Sequence, residues 1–319
     1  MADARIEAAA RRFALGEITR IERIPAGTIN SNYAVQAASG RFFLRINEGK
    51  REEEVAYEAE LVTHLSGRGV PTPCPVPDQE GRPFAATDVG LVTVFPWVDG
   101  DHREGAALSA HDLAEVGASL ASLHLAGVGF GTRARSRYAF ERIVDRYEGL
   151  AADCCDPGLV SALDDVGPEI AWLNEHVSAR ADLPQGVIHG DLFPDNVLYA
   201  GDRLVALLDF EQASDGAFAY DLAVCLCAWC FDDDFVAERA RALVAGYEGR
   251  RRLEVEERRL LYVEARAAAM RFTVTRITDV YLDPDASPAL RKAKDFRRFQ
   301  ARLRRLRAMG EDGFETLTR

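Results

Sequence analysis

The sequence predicts an α+β protein with an N-terminal antiparallel-sheet lobe and a mainly helical C-terminal lobe. Three observations support this prediction. Alternating apolar residues broken by turn residues dominate the N-terminal third, helical periodicity dominates the rest, and strand patterns return only between 187 and 215. A chain of 319 residues with 48% hydrophobic residues can bury a full core and is long enough for two lobes. We therefore expect two lobes, over 1–98 and 99–319.

Period-2 alternation, glycine and proline define the elements of the first lobe. Gly40 and its neighbours separate two strand-like runs, and each proline between 70 and 77 biases the preceding residue away from helix. In chain order, the predicted elements are a helix over 1–15, strands over 18–24, 32–37 and 41–47, a helix over 51–65, an extended segment over 70–77 and a strand over 91–95.

The second lobe is predicted to begin after a hinge at 96–100. Ser109 should start a helix that ends near Gly127. Asp221 precedes the apolar run 222–231, so we expect it to cap a helix there and to bond back to the loop before 197. The basic run 291–307 carries aromatic residues and leucines at helical spacing, which predicts a terminal helix with a buried apolar stripe and a solvated basic face.

The run His189-Gly190-Asp191-Leu192-Phe193-Pro194-Asp195-Asn196, followed by Asp209-Phe210, is the most informative segment. Phosphoryl transfer to an alcohol requires a carboxylate that orients and deprotonates the hydroxyl, and oxygen ligands for Mg²⁺ on the ATP phosphates. The five-residue offset from Asp191 to Asn196 matches the catalytic loop of kinases, with Gly190 where protein kinases have arginine. We interpret Asp191 as the base, Asn196 and Asp209 as metal ligands, and His189 as a structural support of the loop.

The spacing of the two metal ligands agrees with a hairpin. Strand-like runs at 197–199 and 204–208 flank turn residues centred near Gly201 and Asp202. Antiparallel pairing about this turn would place Asn196 and Asp209 at the same open end, where they could share one ion.

The first lobe is predicted to bind the nucleotide phosphates. The loop that contains Gly27, Asn30, Ser31 and Asn32 joins two strands, so its backbone N–H groups and polar side chains could cover phosphates. Arg45 occupies the strand position where kinases carry the phosphate-binding lysine. Glu58 is its expected partner, with Glu54 and Glu60 as competitors. Phe95 and Trp97, at the predicted hinge, complete the expected ATP-binding set.

Composition excludes several other classes. A net charge of −12 argues against nucleic acid as a partner, because phosphate backbones are bound by clustered lysine and arginine. The longest apolar run, 222–231, is too short to cross a bilayer, and the polar start 1–12 lacks a signal core, so we expect a cytoplasmic protein without membrane contact. The six cysteines fit no paired metal spacing and are expected to be buried thiols.

The whole chain resembles the aminoglycoside-phosphotransferase-like kinases, a small-molecule branch of the protein-kinase-like fold, and most closely the homoserine kinases of that branch. The resemblance rests on Gly27 through Tyr33, Gly69 through Pro73, the 187–197 segment, Ala219 through Ala223, and Cys225 through Phe231 with Arg266, Arg271 and Arg276. Departures are Gly190, Cys227, Glu211-Gln212, and arginine rather than lysine at 45. Arginine at position 45 keeps the positive charge of lysine but carries it on a planar guanidinium.

The resemblance implies ATP and Mg²⁺ as cofactors and L-homoserine as the acceptor, in a monomer or homodimer. An arginine of the 264–280 helix is expected to hold the substrate carboxylate, and Arg271, in an apolar stretch, is the first choice. The alternative for Arg271 is that its side chain reaches solvent or pairs with a core acid. Glu211 is a second expected substrate contact. Two alternatives stay open at this point. One is phosphorylation of an aminoglycoside or another small molecule at the same site. The other is a non-catalytic nucleotide-binding module, which the presence of Asp191, Asn196 and Asp209 disfavours.

Overall fold

A computed structural model describes residues 4–25, 30–153 and 156–319. The chain forms two compact units. Unit 1 comprises Met1–His102, Gly129–Thr132 and Asn196–Glu211, and unit 2 comprises Arg103–Val128, Arg133–Asp195 and Gln212–Arg319. The expected boundary near residue 98 stays a prediction. No helix in the described ranges is both long enough and apolar enough to span a bilayer.

Unit 1 contains a five-stranded antiparallel sheet with the strand order β1-β2-β3-β5-β4. Its elements are α1 (Ala4–Ala10), β1 (Ile18–Ile24), β2 (Ser31–Ala37), β3 (Gly40–Ile46), α2 (Glu52–Ser66), β4 (Ala85–Thr87) and β5 (Gly90–Pro96). Side chains alternate between the two faces of these strands. Val35, Leu44 and Val94 therefore point to the same face of the sheet, where they are fully buried against α1. The predicted strands and the second helix are confirmed to within one residue. The first helix ends at Ala10 rather than at residue 15, and the short β4 was not predicted.

A two-stranded hairpin, β7 (Val197–Ala200) and β8 (Arg203–Leu207), belongs to the same unit. Val197 pairs with Leu207 and Ala200 pairs with Arg203, so the turn falls at Gly201 and Asp202 as expected. The positive φ of 56° at Gly201 explains why glycine suits this turn. The predicted hairpin is therefore confirmed.

Unit 2 is mainly helical. Its helices are α3 (Ala110–Gly127), α4 (Phe140–Asp153), α5 (Pro157–Asn174), α6 (Val177–Ala181), α7 (Phe218–Trp229), α8 (Ala237–Glu248), α9 (Val255–Arg276), α10 (Pro288–Ala293) and α11 (Arg297–Thr318). A π-helical turn at Ile277–Tyr281 extends α9, and the short strands β6 (Gln185–Ile188) and β9 (Ser214–Ala217) pair antiparallel. Ser109 caps α3 as predicted, with its hydroxyl accepting a hydrogen bond from Asp112 N at 3.2 Å.

Glycine permits a close approach between α3 and α8. A Cβ on Gly117 would lie 2.0 Å from the carbonyl oxygen of Leu243, and a Cβ on Gly246 would lie 2.1 Å from that of Ala114. Such contacts are far inside van der Waals distance, so only glycine fits at either position without backbone movement.

Three expectations need correction. Asp221 does not cap α7, because the helix begins at Phe218 after a cap at Ala217, one turn earlier than the apolar run suggested. The terminal helix starts at Arg297 rather than 291, since a separate helix ends at Ala293. Cys74 is exposed, while Cys225, Cys227 and Cys230 are buried as expected. Cys154 and Cys155 lie outside the described residues.

Candidate active site

The loop 189–196 in unit 2 is anchored by a buried carboxylate. Asp221 Oδ2 accepts a hydrogen bond from His189 N at 2.7 Å, and Asp221 Oδ1 accepts one from Gly190 N at 2.8 Å. Gly190 has a φ of 75°, and a Cβ there would lie 3.1 Å from the carbonyl oxygen of Gln212. Gly190 therefore suits this position better than the arginine of protein kinases. The predicted bond from Asp221 back to this loop is confirmed.

The charge of Asp221 is supported by a neutral histidine. His124 Nε2 lies 3.0 Å from Asp221 Oδ2, and Tyr247 Oη lies 2.8 Å from His124 Nδ1. Burial lowers the pKa of His124, so its neutral ring can donate from Nε2 and accept from the tyrosine hydroxyl. Burial alone would raise the pKa of Asp221, but the bonds from His124 and the backbone hold that pKa below its usual value. Asp221 is thus ionised at neutral pH.

Asp191 is held by one amide side chain and faces several cations. Gln212 Nε2 donates to Asp191 Oδ2 at 2.9 Å, and Arg271 Nη1 lies 3.8 Å from Asp191 Oδ1. About a fifth of the carboxylate side chain, 21%, stays exposed. Burial raises the pKa of Asp191, while the charges of Arg271 and Lys294 oppose that rise. An accessible carboxylate with a raised pKa is a suitable proton acceptor for a hydroxyl.

His189 supports the loop through its ring. Its Nδ1 accepts a hydrogen bond from Asp191 N at 3.3 Å, and the side chain is completely buried. These contacts agree with the structural role expected for His189.

Arg271 lies behind the carboxylate and is itself held on several sides. Its guanidinium stacks at 3.8 Å from the centroid of Phe272 and at 4.1 Å from that of Tyr138. Arg271 also donates to the side-chain oxygen of Gln212 and, at 3.4 Å, to the carbonyl oxygen of Gly190. Arg271 is therefore committed to the base and its neighbours, and its predicted contact with a substrate carboxylate stays a prediction.

Asn196 and Asp209 occupy the open end of the β7–β8 hairpin in unit 1. Leu208 N donates to the carbonyl oxygen of Asn196 at 2.9 Å, which continues the strand pairing by one step. Asp209 follows directly and has a φ of 61°, the left-handed conformation that aspartate tolerates better than most residues. The hairpin thus brings the two predicted metal ligands together.

A compact set of opposite charges surrounds Arg45 in the same unit. Arg45 Nη2 lies 2.8 Å from Glu58 Oε1, so the predicted pair is present and Glu58 is the partner rather than Glu54 or Glu60. Burial would lower the pKa of Arg45, but Glu58 and Asp209 hold it above its usual value. Arg45 is therefore a fixed positive charge next to a predicted metal ligand.

Glu211 belongs to this charge set. Lys50 Nζ lies 2.6 Å from Glu211 Oε2 and 3.4 Å from Glu58 Oε2, and Asn30 Nδ2 donates to Glu211 at 3.1 Å. Burial opposes ionisation of Glu211, yet Lys50 and Arg45 hold its pKa below the usual value. The contacts of Glu211 are to Lys50, between β3 and α2, and to Asn30 of the loop that is expected to bind nucleotide. Its predicted substrate contact stays a prediction.

The other predicted nucleotide residues have different surroundings. Asn30 Oδ1 accepts a hydrogen bond from Glu48 N at 3.2 Å, while Ser31 and Asn32 begin β2. Asn30, Ser31 and Asn32 also line an open depression together with Arg23, Ile24 and Pro25. Gly27 lies outside the described residues.

The two aromatic residues near the predicted hinge each contact an arginine. The Arg41 guanidinium lies 3.6 Å from the Trp97 ring centroid, and that of Arg45 lies 5.6 Å from the Phe95 ring centroid. Phe95 is buried, and Trp97 Nε1 donates to Asp99 at 3.1 Å. Their contact with an adenine ring stays a prediction.

Lys50 and Gln212 were missed from the sequence. Both are polar residues next to a predicted site residue or element, but nothing in the local pattern distinguishes them from ordinary surface residues. Asp191 belongs to unit 2, whereas Asn196 and Asp209 belong to unit 1. Among the described residues, no group of three or more histidine, cysteine, aspartate or glutamate side chains could hold a metal ion.

Comparisons with known proteins identify the family to which this chain is similar. A family model described as phosphotransferase enzyme family matches residues 20–259. A homoserine kinase of Methylobacterium radiotolerans is 38% identical over 296 residues, which cover 91% of this chain and 89% of the relative. A homoserine kinase of Gluconacetobacter diazotrophicus is 38% identical over 306 residues, which cover 92% of this chain and 91% of the relative.

A solved structure of an amicoumacin kinase in complex with AMP-PNP, Ca²⁺ and Ami has a similar fold. The TM-score is 0.72 at 16% sequence identity, over 98% of this chain and 94% of that chain. At this identity the likeness shows the fold alone. It confirms the protein-kinase-like fold class that the sequence predicted.

Proposed function

From the premise that this chain belongs to the phosphotransferase enzyme family, we propose that it is an ATP-dependent kinase that phosphorylates the hydroxyl of L-homoserine to give O-phosphohomoserine. The acceptor follows from relatives named homoserine kinase that match about nine tenths of the chain. A chain with this activity would act in threonine biosynthesis.

The arrangement around Asp191 is the observation that carries the proposal. The base would orient the acceptor hydroxyl and take its proton while the hydroxyl oxygen bonds to the γ-phosphorus of ATP and the bond to the β–γ bridging oxygen breaks. Gln212 fixes one carboxylate oxygen, and Asp221 fixes the backbone of the loop. Such fixed geometry lowers the entropic cost of bringing hydroxyl and base together.

Unit 1 supplies the groups that we propose for ATP and Mg²⁺. Asn196 and Asp209 offer an amide oxygen and a carboxylate, which fit Mg²⁺ because kinases bind this ion with few protein oxygens and complete its shell with phosphates and water. When bound, the ion neutralises charge on the phosphates. Arg45, held by Glu58, would contact the phosphates. We propose Asn30 and Gly27 as further phosphate-binding residues.

The remaining predicted residues have supporting parts in this proposal. Phe95 and Trp97 would border the nucleotide base, and Ser31 and Asn32 would extend the phosphate loop. The acceptor would be a small molecule rather than nucleic acid, in agreement with the net charge of −12. We propose a monomer or a homodimer that needs no membrane partner.

Local charge favours an amino-acid acceptor over an aminoglycoside. The charges of Arg271 and Lys294 act on Asp191 more strongly than the charge of Asp195, and Arg271 Nη1 lies 3.8 Å from Asp191 Oδ1. A polycationic aminoglycoside would be repelled by Arg271 and Lys294, whereas a substrate with a carboxylate would be attracted.

A substrate panel tests the proposal directly. Turnover of ATP would be measured with L-homoserine, 3-aminopropanol, choline, an aminoglycoside and a hexose. We expect homoserine to give the highest kcat/KM. A clear preference for an aminoglycoside would overturn the acceptor but leave the kinase activity standing, and failure to phosphorylate any alcohol would favour a nucleotide-binding module.

A further inference from the structure

Helix α9 carries three arginines spaced five residues apart, and two of them have an acidic partner. Arg266 forms two bonds of 2.7 Å to the carboxylate of Glu169 and stacks 3.5 Å from the centroid of Trp172. Arg271 faces Asp191 at 3.8 Å. Arg276, the third, has no carboxylate within 4.0 Å among the described residues, and its guanidinium donates only to the carbonyl oxygen of Asp295, at a long 3.4 Å.

Arg276 lies on an aromatic surface that it shares with Arg271. Its guanidinium is 4.5 Å from the centroid of Phe299 and 5.7 Å from that of Phe193. Phe193 and Phe299 pack around Phe272, and the Arg271 guanidinium stacks on the Phe272 ring. Phe193 lies two residues after Asp191 in the same loop. These contacts connect Arg276, through Phe193 and Phe272, with the loop that carries the proposed base, and the charge of Asp191 acts on Arg276.

Further positive charge surrounds Arg276. Burial, with Arg302 and Arg298 nearby, lowers the pKa of Arg276 to about 9, so the group stays protonated at neutral pH. Arg302 stacks 4.7 Å from the Phe299 ring and bonds to backbone carbonyls, such as that of Cys227 at 2.7 Å.

Asp191 acts on Arg276 through its charge but forms no ion pair with it within 4.0 Å, and two other acids near Arg276 have arginine partners of their own. The carboxylate of Asp295 faces Arg297 Nη1 at 3.3 Å, and that of Asp279 faces Arg146 at 2.5 Å. Unpaired, partly buried positive charge is unfavourable in the free protein unless a ligand supplies the opposite charge.

We propose that Arg276 binds the carboxylate of the acceptor amino acid and thereby determines specificity for it. The inference rests on the proposed function and assigns the carboxylate to Arg276 in place of Arg271, whose two terminal nitrogens, Nη1 and Nη2, already contact Gln212, Gly190 and Asp191. A planar guanidinium on an aromatic surface can hold a carboxylate through two parallel hydrogen bonds, which fixes the direction of the hydroxyl at the other end of the substrate.

The test compares L-homoserine with 3-aminopropanol, which lacks only the carboxylate. In Arg276→Met we expect KM for homoserine to rise on the order of ten- to a hundredfold, since a hydrogen bond to a charged group is being lost. KM for ATP and the weak turnover of 3-aminopropanol should stay within about twofold of wild type. Arg276→Lys should bind homoserine better than Arg276→Met but less well than wild type, because lysine keeps the positive charge without the planar guanidinium that forms two parallel hydrogen bonds.

Thermal shift separates this role from a structural one. Arg276→Met removes a repelled charge, so Tm without substrate should not fall, whereas Arg266→Met, which breaks the pair with Glu169, should lower it. Homoserine should stabilise wild type and lose that effect in Arg276→Met. Arg305→Met, at an exposed arginine of α11 paired with Asp234, serves as the neutral control.

Each alternative outcome has a distinct meaning. If wild type uses homoserine but Arg276→Met leaves its KM unchanged, or raises KM equally for both acceptors, the inference is wrong and the proposed function stands. If Arg271→Met alone raises KM for homoserine selectively, Arg271 is the carboxylate partner instead. If wild type uses 3-aminopropanol as well as homoserine, both the acceptor proposal and the inference fall.

Discussion

His124 Nε2 lies 3.0 Å from Asp221 Oδ2, and neither side chain is exposed to solvent. His124 belongs to α3 and Asp221 to α7, so the pair joins two helices beneath the loop that carries Asp191. A buried carboxylate is unfavourable alone, but here it accepts hydrogen bonds from the ring and from two backbone amides. The rigidity of the proposed catalytic loop depends on this buried charge.

Asp221→Asn should lower the free energy of unfolding by about 3–5 kcal/mol at neutral pH, because it removes one partner of a buried charged network. The folded-state pKa of Asp221 lies below its usual value, so its contribution is complete above about pH 4 and is lost as the pH falls through the folded pKa. Urea unfolding at pH 7 and at about pH 3 should therefore show a smaller difference between mutant and wild type at the lower pH. An equal difference at both would contradict the assignment.

Asp191→Asn should reduce kcat by about 10²–10⁴-fold, the usual contribution of a positioned general base. Binding of ATP should change little, since the base acts on the acceptor hydroxyl. Single-turnover kinetics and a fluorescent-nucleotide titration measure the two quantities separately. Near-wild-type kcat would exclude Asp191 as the base.

Asp209→Ala and Asn196→Ala should both raise the Mg²⁺ concentration needed for half-maximal activity, and Asp209→Ala should do so more strongly. An anionic oxygen binds a hard dication better than an amide oxygen does. Asp202→Asn, at the exposed turn of the same hairpin, is the matched control, and its activity should depend on Mg²⁺ concentration as that of wild type does. Superimposable Mg²⁺ titrations for all three variants would remove the pair from the metal site.

Arg271→Met should move the acid limb of the kcat–pH profile to higher pH. Asp191 must be ionised to accept a proton. Burial already raises its pKa, and Arg271 is the strongest charge that opposes this rise. Loss of the guanidinium therefore raises the pKa of Asp191 further, while Arg271→Lys keeps the charge and should shift the limb less. A profile insensitive to both changes would show that Arg271 does not act on the base.

Gly117→Ala should destabilise the protein by about 1–3 kcal/mol, because its Cβ would meet the carbonyl oxygen of Leu243 at 2.0 Å. Gly149→Ala is the control, since Gly149 lies in α4 with no heavy atom within 4 Å of an added Cβ. That change should be neutral or slightly stabilising, as alanine favours helix. Equal loss of Tm in both variants would argue against close helix packing as the cause.

Local pattern was sufficient for the parts of the site that one short segment determines. The position of Asn196 and Asp209 at the same open end of the hairpin could be predicted because a two-residue turn fixes the register of a hairpin. The Arg45–Glu58 pair could be predicted from a strand followed by a helix of regular periodicity.

Long-range partners were beyond the sequence. Gln212 and Arg271 meet around Asp191 across separations of 21 residues or more, and tertiary packing alone selects them. Asp221 was misplaced as a cap because α7 begins at Phe218, where pairing of the preceding strand β9 ends and no apolar period marks the start. Sequence alone likewise could not decide whether Arg271 or Arg276 binds the substrate carboxylate, because that choice depends on which guanidinium lies next to an acidic side chain in the folded protein.

The β7–β8 hairpin belongs to unit 1 although segments of unit 2 flank it in the chain. Leu207 N donates to the carbonyl oxygen of Pro71 at 2.6 Å, and Tyr199 and Asp101 exchange backbone hydrogen bonds. A fragment that ends at His102 would lose these partners. Chimaeras between relatives that join at this position would combine a hairpin from one parent with a sheet from the other. Recombination should therefore be tolerated best when residues 196–211 are exchanged together with the N-terminal segment.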